Sequence, residues 1–398
     1  MQSAAAQFEQ QELLLARLAE LNAEKARIDG DIAVAAAELR VLYEDRLSLP
    51  AHSGNHRTNL ADATTASEIA CLLRISERSA HRLVQQSRIL VDYNPRTLAA
   101  LRSGALSWGH AAALVHEYAG LPAGTAELVE TRLLTLALET TVSRLSYRAR
   151  KLRSELHPTA LDQRARDAAG RRRVGFQSAD DSMAWLSIFL PAADAIAVDA
   201  RLTAEARDLQ DPSERRTLSQ LRTDVALDLL LGSRNESGSA VQGERRVKAH
   251  INVTVPVLTL LGVDDEPAEL EGYGPIPAEV ARRLAAHAPS FTRLLTHPES
   301  GAVLSVGRTT YAVPADLKKW LRVRDRTCRH PGCCVPASRC ELDHTKPWSR
   351  DGTTDHDNLA HLCRKHHRLK SEGIWRYSRS ETNILLARSP GGRTYRCE

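Results

Sequence analysis

The sequence predicts a mainly α-helical chain with small β elements, an α+β class, on three observations. Apolar residues recur at helical spacing from Leu14 to Leu152. Stretches that alternate as strands do come later, in "RRVGF", "MAWLSIFLP" and "VKAHINVTVPVLTLLG". Five of the seven cysteines (Cys328, Cys333, Cys334, Cys340 and Cys363) crowd into 36 residues, with Cys71 and Cys397 lying apart. A chain of 398 residues has room for two or three domains. The expected division is a long helix at 1–49, a mainly helical domain with a small sheet at 66–315 and a C-terminal module at 321–398.

Taking the elements in order, Leu14, Leu18, Leu21, Lys25, Ile28, Ile32, Ala35, Leu39 and Leu42 follow alternating steps of four and three, and all but Lys25 are apolar. That heptad seam predicts one long helix with a coiled-coil-like face. Its partner is either a second copy of the chain, giving a homodimer through the N-terminal helix, or the rest of the same domain. The polar stretch from Pro50 to Thr65 reads as a loop. In "SEIACLLRISERSAHRLVQQSRIL", Ser67 and Ser76 are each placed to cap a short helix. The pair is either a helix-turn-helix presenting Arg78, His81, Arg82 and Arg88 to DNA or a plain packing unit. Further helices follow, then a hairpin around "SADDS", a helix in "RRTLSQLRTDVALDLLLG" and a flexible "SRNESGSAVQGE".

Charge is unevenly spread. The net charge is +5, yet Leu321 to Glu398 alone holds 16 Lys plus Arg against 9 Asp plus Glu, or +7, leaving −2 for the remainder. A basic module on a near-neutral body suits contact with phosphates; the plain alternative is a solvated arginine-rich face. The N-terminus has no basic stretch followed by an apolar core, and no apolar run approaches the roughly 18 residues a membrane helix needs. The expectation is a soluble, cytoplasmic protein without a membrane partner. In that setting clustered cysteines point to a metal and away from disulfides.

The chemistry concentrates in "RDRTCRHPGCCVPASRCELDHTKPWSRDGTTDHDNLAHLCRKHHRLK". Cys328 and Cys333 flank a loop containing Pro331 and Gly332, which suits a knuckle turning two thiolates toward one ion. Cys363 and His366 form a C-x-x-H pair, the offset by which the start of a helix presents two ligands. Three thiolates and one imidazole are a donor set that zinc favours. Cys334 and Cys340 are spare thiols, either of which could replace a named ligand. Spacing alone does not separate His366 from His367, because both share a helical face with Cys363.

Inside the zinc-closed loop lie Asp343 and His344, then Asn358 fourteen residues on and His367 nine after that. This order resembles the HNH endonuclease motif and its ββα-metal fold. The resemblance implies that Asp343 and His367 hold a catalytic divalent metal, magnesium or manganese, and that His344 is the general base. It also implies that Asn358 holds His344 or its loop in position. The family pattern gives His366 to structural zinc with Cys328, Cys333 and Cys363, and His367 to the catalytic metal. Arg339, Lys346, Arg350, Arg364, Lys365, Arg368 and Lys370 supply positive charge for a nucleic-acid backbone, while Trp348 and Trp375 read as packing.

Beyond the motif, "ALRSGALSWGHAAAL", "EGYGPIPAEVARRLA" and "LLTHPESGAVLSVGRTTY" look like the actinobacterial family in which a large N-terminal domain of unknown function precedes an HNH module. The expected function is metal-dependent hydrolysis of phosphodiester bonds in DNA. The alternatives are a zinc-containing DNA-binding or regulatory protein without cleavage, and an oligomerisation scaffold built on the N-terminal seam.

Overall fold

The computed structural model describes residues 4–47, 54–118, 121, 123–156, 158–231, 252–286 and 311–397. They divide into two compact units, Met1–Ala160 with Ala288–Glu398, and Leu161–His287. The "SRNESGSAVQGE" segment and the first part of "VKAHINVTV" lie outside the described residues.

In the first unit seven helices run in sequence: α1 (Ala4–Arg46), α2 (Gly54–Leu73), α3 (Glu77–Tyr93), α4 (Pro95–Arg102), α5 (Trp108–Tyr118), α6 (Ala123–Ala137) and α7 (Val142–Leu156). The long helix forms over 43 residues, as the heptad spacing requires. Its packed face, however, is a different stripe of small residues. Ala26, Ala33 and Ala36 are buried against α2, α3, α4 and α5, with Ala33 at 0% exposure, and Ala37 is buried beside them. Leu14, Leu18, Ile28 and Leu42 stay 53–63% exposed. Packing within the domain therefore reaches the seam at Leu39, which lies on the α2–α3 core, and leaves most of its other apolar residues uncovered. The cause is close approach: a Cβ on Gly30 would lie 2.6 Å from Arg102 Cγ, so α4 crosses where α1 has almost no side chain.

The expected loop at 50–65 is largely helix. α2 starts at Gly54, and Ser67 is not a cap; it lies buried inside the helix, its hydroxyl 2.8 Å from His330 Nε2. Polar composition hid this helix, because two of its buried polar groups find partners that no local pattern shows. Asp62 accepts from Arg40 of α1 at 2.6 Å, and the Thr65 hydroxyl donates to the Ala61 carbonyl at 2.8 Å. Ser76 does cap α3, accepting from the Ser79 N–H at 3.2 Å. In the turn between α2 and α3, Arg74 takes the left-handed conformation at φ 55°. Arg78, His81 and Arg82 face solvent, whereas Arg88 is half-buried.

The second unit contains most of α8 (Pro158–Gly170), the antiparallel hairpin β1 (Arg173–Ser178) and β2 (Ala184–Phe189), and the paired helices α9 (Ala192–Asp208) and α10 (Leu218–Leu231). It continues through β3 (Val253–Thr254), α11 (Val257–Leu260), β4 (Ala268–Leu270), β5 (Gly274–Ile276) and α12 (Ala278–Ala286), the three strands forming one antiparallel sheet. "VPVLTLLG" thus leaves the strand after Thr254 and turns helical behind Pro256, which fixes the first backbone angle.

The C-terminal segment returns to the first unit with α13 (Ala315–Asp325), the hairpin β6 (Cys340–His344) and β7 (Leu359–Cys363), α14 (Arg364–Ser371), and the sheet of β8 (Arg376–Arg379), β9 (Leu385–Arg388) and β10 (Thr394–Arg396). Its core is shared with the helices: Leu60 of α2 packs with Leu369, Trp375 and Leu385. Glu68 of α2 accepts from Tyr43 of α1 and, at 2.6 Å, from the Ser389 hydroxyl. Trp375, at 0% exposure, is packing as expected.

Gly30→Val replaces one poor helix former with another that adds volume at the α1–α4 crossing. It is expected to destabilise the unit by about 1–3 kcal/mol, read as a lower denaturant midpoint, while Gly170→Val, where a Cβ meets nothing within 4 Å, leaves the midpoint near wild type.

Candidate functional site: a thiolate–imidazole cluster beside a carboxylate–histidine pair

The knuckle between Cys328 and Cys333 is built from backbone bonds. The Cys328 N–H donates to Val335 O at 2.7 Å, the Cys333 N–H to His330 O at 3.1 Å, and Gly332 sits at φ 74° where a side chain would be strained. Cys363 ends β7 and occupies the N-cap of α14, so His366 follows within the first helical turn. The ligand atoms of Cys328, Cys333, Cys363 and His366 all lie within 4.8 Å of one another, and all four residues are buried. His366 Nδ1 is 3.4 Å from Cys328 Sγ and 3.3 Å from Cys363 Sγ. Zinc with bonds of about 2.3 Å to sulfur and 2.0–2.1 Å to nitrogen has a tetrahedral S–N edge of about 3.6 Å, so the donor set and its spacing fit zinc.

The thiols themselves ask for a cation. Contacts with Cys333, Cys340 and Cys363, with burial adding, push the Cys328 thiol far up, while Cys328 and Cys333 hold Cys363 far down. The thiols and the imidazole are thus strongly coupled, and a metal ion binds such a group by taking the place of its protons. Of the spare thiols, Cys334 is exposed and Cys340 turns its sulfur toward Pro336 O at 3.3 Å; neither belongs to the four-ligand group.

The second constellation starts on the same hairpin. β6 and β7 pair antiparallel with Asp343 opposite Ala360 and His344 opposite Leu359. Side chains alternate along a strand, so Glu341 and Asp343 share one face, and His367 of α14 meets both. Its Nδ1 is 2.7 Å from Glu341 Oε2 and its Nε2 is 3.4 Å from Asp343 Oδ1. Asp343 and His367 offer an oxygen and a nitrogen at a separation that fits two ligands of one hard divalent ion. His366 faces the sulfurs and His367 the carboxylates, which separates the two adjacent histidines.

His344 closes β6, with 7% exposure. Its Nε2 is 3.0 Å from Thr354 Oγ1, and Tyr311 stacks on the ring at 5.2 Å between centroids, with Trp348 edge-on. Burial pulls His344 below its ordinary value, opposed by Asp343 and aided by Lys370, which favours the neutral ring. Asn358 bonds the loop and not His344. Its amide nitrogen donates to Lys346 O at 3.1 Å and Thr353 O at 2.8 Å, and its oxygen accepts from the Lys346 N–H at 2.8 Å. The loop closes so tightly at Gly352 that a Cβ there would sit 1.9 Å from Lys346 O.

The seven basic residues divide. Arg339, Lys346, Arg350, Arg364 and Arg368 are exposed. Lys365 is engaged by Glu77 of α3 at 2.8 Å, and Lys370 donates to Asp343 and to the His344 carbonyl, so the positive charge of these two is matched inside the protein. The sequence reading grouped all seven alike, because an ion pair with a residue far away in the chain leaves no local pattern.

Four supporting residues escaped sequence reasoning. Thr354 bonds His344, Glu341 bonds His367, and Glu77 lies 2.7 Å from His366 Nε2. Asp325 accepts from the His361 backbone at 3.0 Å and from its ring at 2.8 Å, bracing β7. Burial pushes the Asp325 carboxyl up, but His361 and Arg324 outweigh it and hold the group low. Glu341 alone carried a signal, two residues before Asp343 on a strand; the others depend on tertiary contacts.

A small hairpin and helix thus carry one sulfur-rich cluster and one carboxylate–histidine pair, each a donor set suited to a metal ion. The profile of the domain of unknown function DUF222 matches residues 15–325, and that of the HNH endonuclease matches residues 327–373. The chain belongs to the DUF222 family, with an HNH endonuclease domain behind it. Similar chains include the uncharacterised protein Rv3776 of Mycobacterium tuberculosis, 29% identical over 60% of this chain and 50% of its own length. The uncharacterised protein Rv2100 of the same organism is 37% identical over 32% of this chain and 23% of its own length. A third uncharacterised M. tuberculosis protein is 26% identical over 83% of this chain and 80% of its own. The chain thus spans half or less of the length of the first two of these relatives. No solved structure matches it. Among the described residues no helix is long and apolar enough to cross a membrane.

Proposed function

We propose that this protein is a metal-dependent endonuclease that hydrolyses phosphodiester bonds in DNA. The observation that carries the reading is the pairing of Asp343 and His367 at 3.4 Å on the β6–β7–α14 frame, with His344 at the end of the same strand. A divalent cation such as magnesium or manganese, held by Asp343 and His367, would polarise the scissile phosphate and stabilise the leaving 3′ oxygen.

The chain's own residues supply the rest. His344 takes a proton from the attacking water, and Thr354 holds its Nε2. Asn358 fixes the loop that follows His344, so the base is positioned by backbone and not by a mobile tether. Arg339, Lys346, Arg350, Arg364 and Arg368 bind the sugar–phosphate backbone, which positions DNA without reading its sequence. The cysteine cluster is a structural zinc site that holds hairpin and helix together.

Purified protein is expected to nick supercoiled plasmid with magnesium or manganese and not with EDTA. His344→Ala is expected to lower the rate about 10²–10⁴-fold with zinc content unchanged. Wild-type nicking rates in that variant would remove His344 as the base. Zinc-loaded protein that binds DNA in a salt-sensitive way yet never nicks it would support the non-cleaving regulator instead; the contact of Lys370 with Asp343 is the feature on that side.

We also propose that α1 pairs with a second copy of the chain. The support is the apolar seam, which keeps four-and-three spacing and exposes Leu14, Leu18, Leu21, Ile28, Ile32 and Leu42. Sedimentation is expected to give twice the chain mass for the wild type and the single-chain mass for Leu21→Glu combined with Ile28→Glu. A wild-type monomer would contradict the pairing.

A further inference from the structure

We propose that Glu77, on the first turn of α3 in the helical domain, is the outer carboxylate of the zinc centre. Zinc binding and the seating of the C-terminal module on α2 and α3 are then a single linked equilibrium. The inference rests on reading Cys328, Cys333, Cys363 and His366 as a zinc site, and goes beyond it by assigning part of that site to the other domain.

An imidazole that turns Nδ1 toward a metal must carry its proton on Nε2, and that N–H needs an acceptor when the ring is buried. His366 has 0% side-chain exposure, and its Nε2 lies 2.7 Å from Glu77 Oε1. The two residues are 289 positions apart, so the acceptor comes from outside the module that holds the ligands. The ring is held on its face as well. His330 stacks on it at 3.8 Å and 14°, and His330 is fixed by Ser67 of α2 at 2.8 Å and by Tyr377 of β8 at 2.7 Å.

Glu77 is a positioning residue: it touches neither substrate nor any sulfur ligand, and acts by fixing the tautomer and aim of His366. Separation of the module from α3 would leave a buried N–H unpaired and a ligand free to turn. A metal that binds the seated state more tightly must, by linkage, stabilise the seating.

The test uses the full chain. Zinc affinity is measured by competition with a chromophoric chelator for wild type, Glu77→Gln and Lys365→Ala, and amide hydrogen exchange is followed in wild type before and after zinc removal. Glu77→Gln removes the anionic acceptor and is expected to weaken zinc roughly 10–100-fold. Lys365→Ala breaks the other ion pair to the same carboxylate and is expected to keep wild-type affinity, which a merely structural interface role would not predict. Zinc removal is expected to speed exchange in residues 66–80 of wild type. Unchanged zinc affinity in Glu77→Gln, or unchanged exchange on zinc removal, would overturn the proposal. A wild type that binds no zinc would overturn the zinc reading with it, a distinguishable result.

Discussion

Three cysteine sulfurs and one imidazole nitrogen converge within 4.8 Å, and the geometry of the C-terminal module depends on that convergence. Residues 327–373 form too small a body to be held by apolar burial alone, and buried thiolates repel one another without a cation. Closing the Cys328–Cys333 knuckle onto Cys363 sets where β7 stops and α14 begins. Successive residues of a helix point about 100° apart, so a register that aims His366 at the sulfurs turns His367 elsewhere. Here it turns toward Glu341 and Asp343. One cluster therefore decides where the second can form.

The boundary between the two matched families, near residue 326, is not a boundary in packing. Leu60 of α2 is part of the core that holds Trp375 and Leu385. Glu68 binds Ser389, and Glu77 and Ser67 reach His366 and His330. Burial pushes the Glu77 carboxyl up, yet the hydrogen bond from His366 and the neighbouring Lys365 ammonium hold it low. In the proposed function the helices are thus more than a tether for the nuclease module. Their side chains complete its polar contacts.

How much of this the sequence revealed follows from whether a signal is local. The α+β class, the β1–β2 hairpin, the Ser76 cap and the length of α1 came from periodicity and turn chemistry within a few residues. The three cysteines of the cluster came from their spacing, whereas the choice of His366 over His367 rested on the family resemblance; in the structure His366 Nδ1 lies 3.3 Å from Cys363 Sγ and His367 Nε2 3.4 Å from Asp343 Oδ1. Non-local features stayed hidden. The first half of α2 is polar because Arg40 of α1 answers Asp62, a pairing no window on α2 contains. The packed stripe of α1 is made of alanines, which carry less hydropathy than the exposed leucines beside them. Lys365 and Lys370 looked like DNA contacts because their carboxylates lie 288 and 27 residues away.

The central claim is that two adjacent histidines serve two different ions. Its most direct measurement is the zinc and manganese content of His366→Ala and His367→Ala beside the wild type, with X-ray absorption at both edges to identify the donor atoms. The account predicts that His366→Ala loses zinc, whereas His367→Ala keeps zinc on sulfur and nitrogen donors and loses manganese. Zinc lost from His367→Ala but retained by His366→Ala would contradict it.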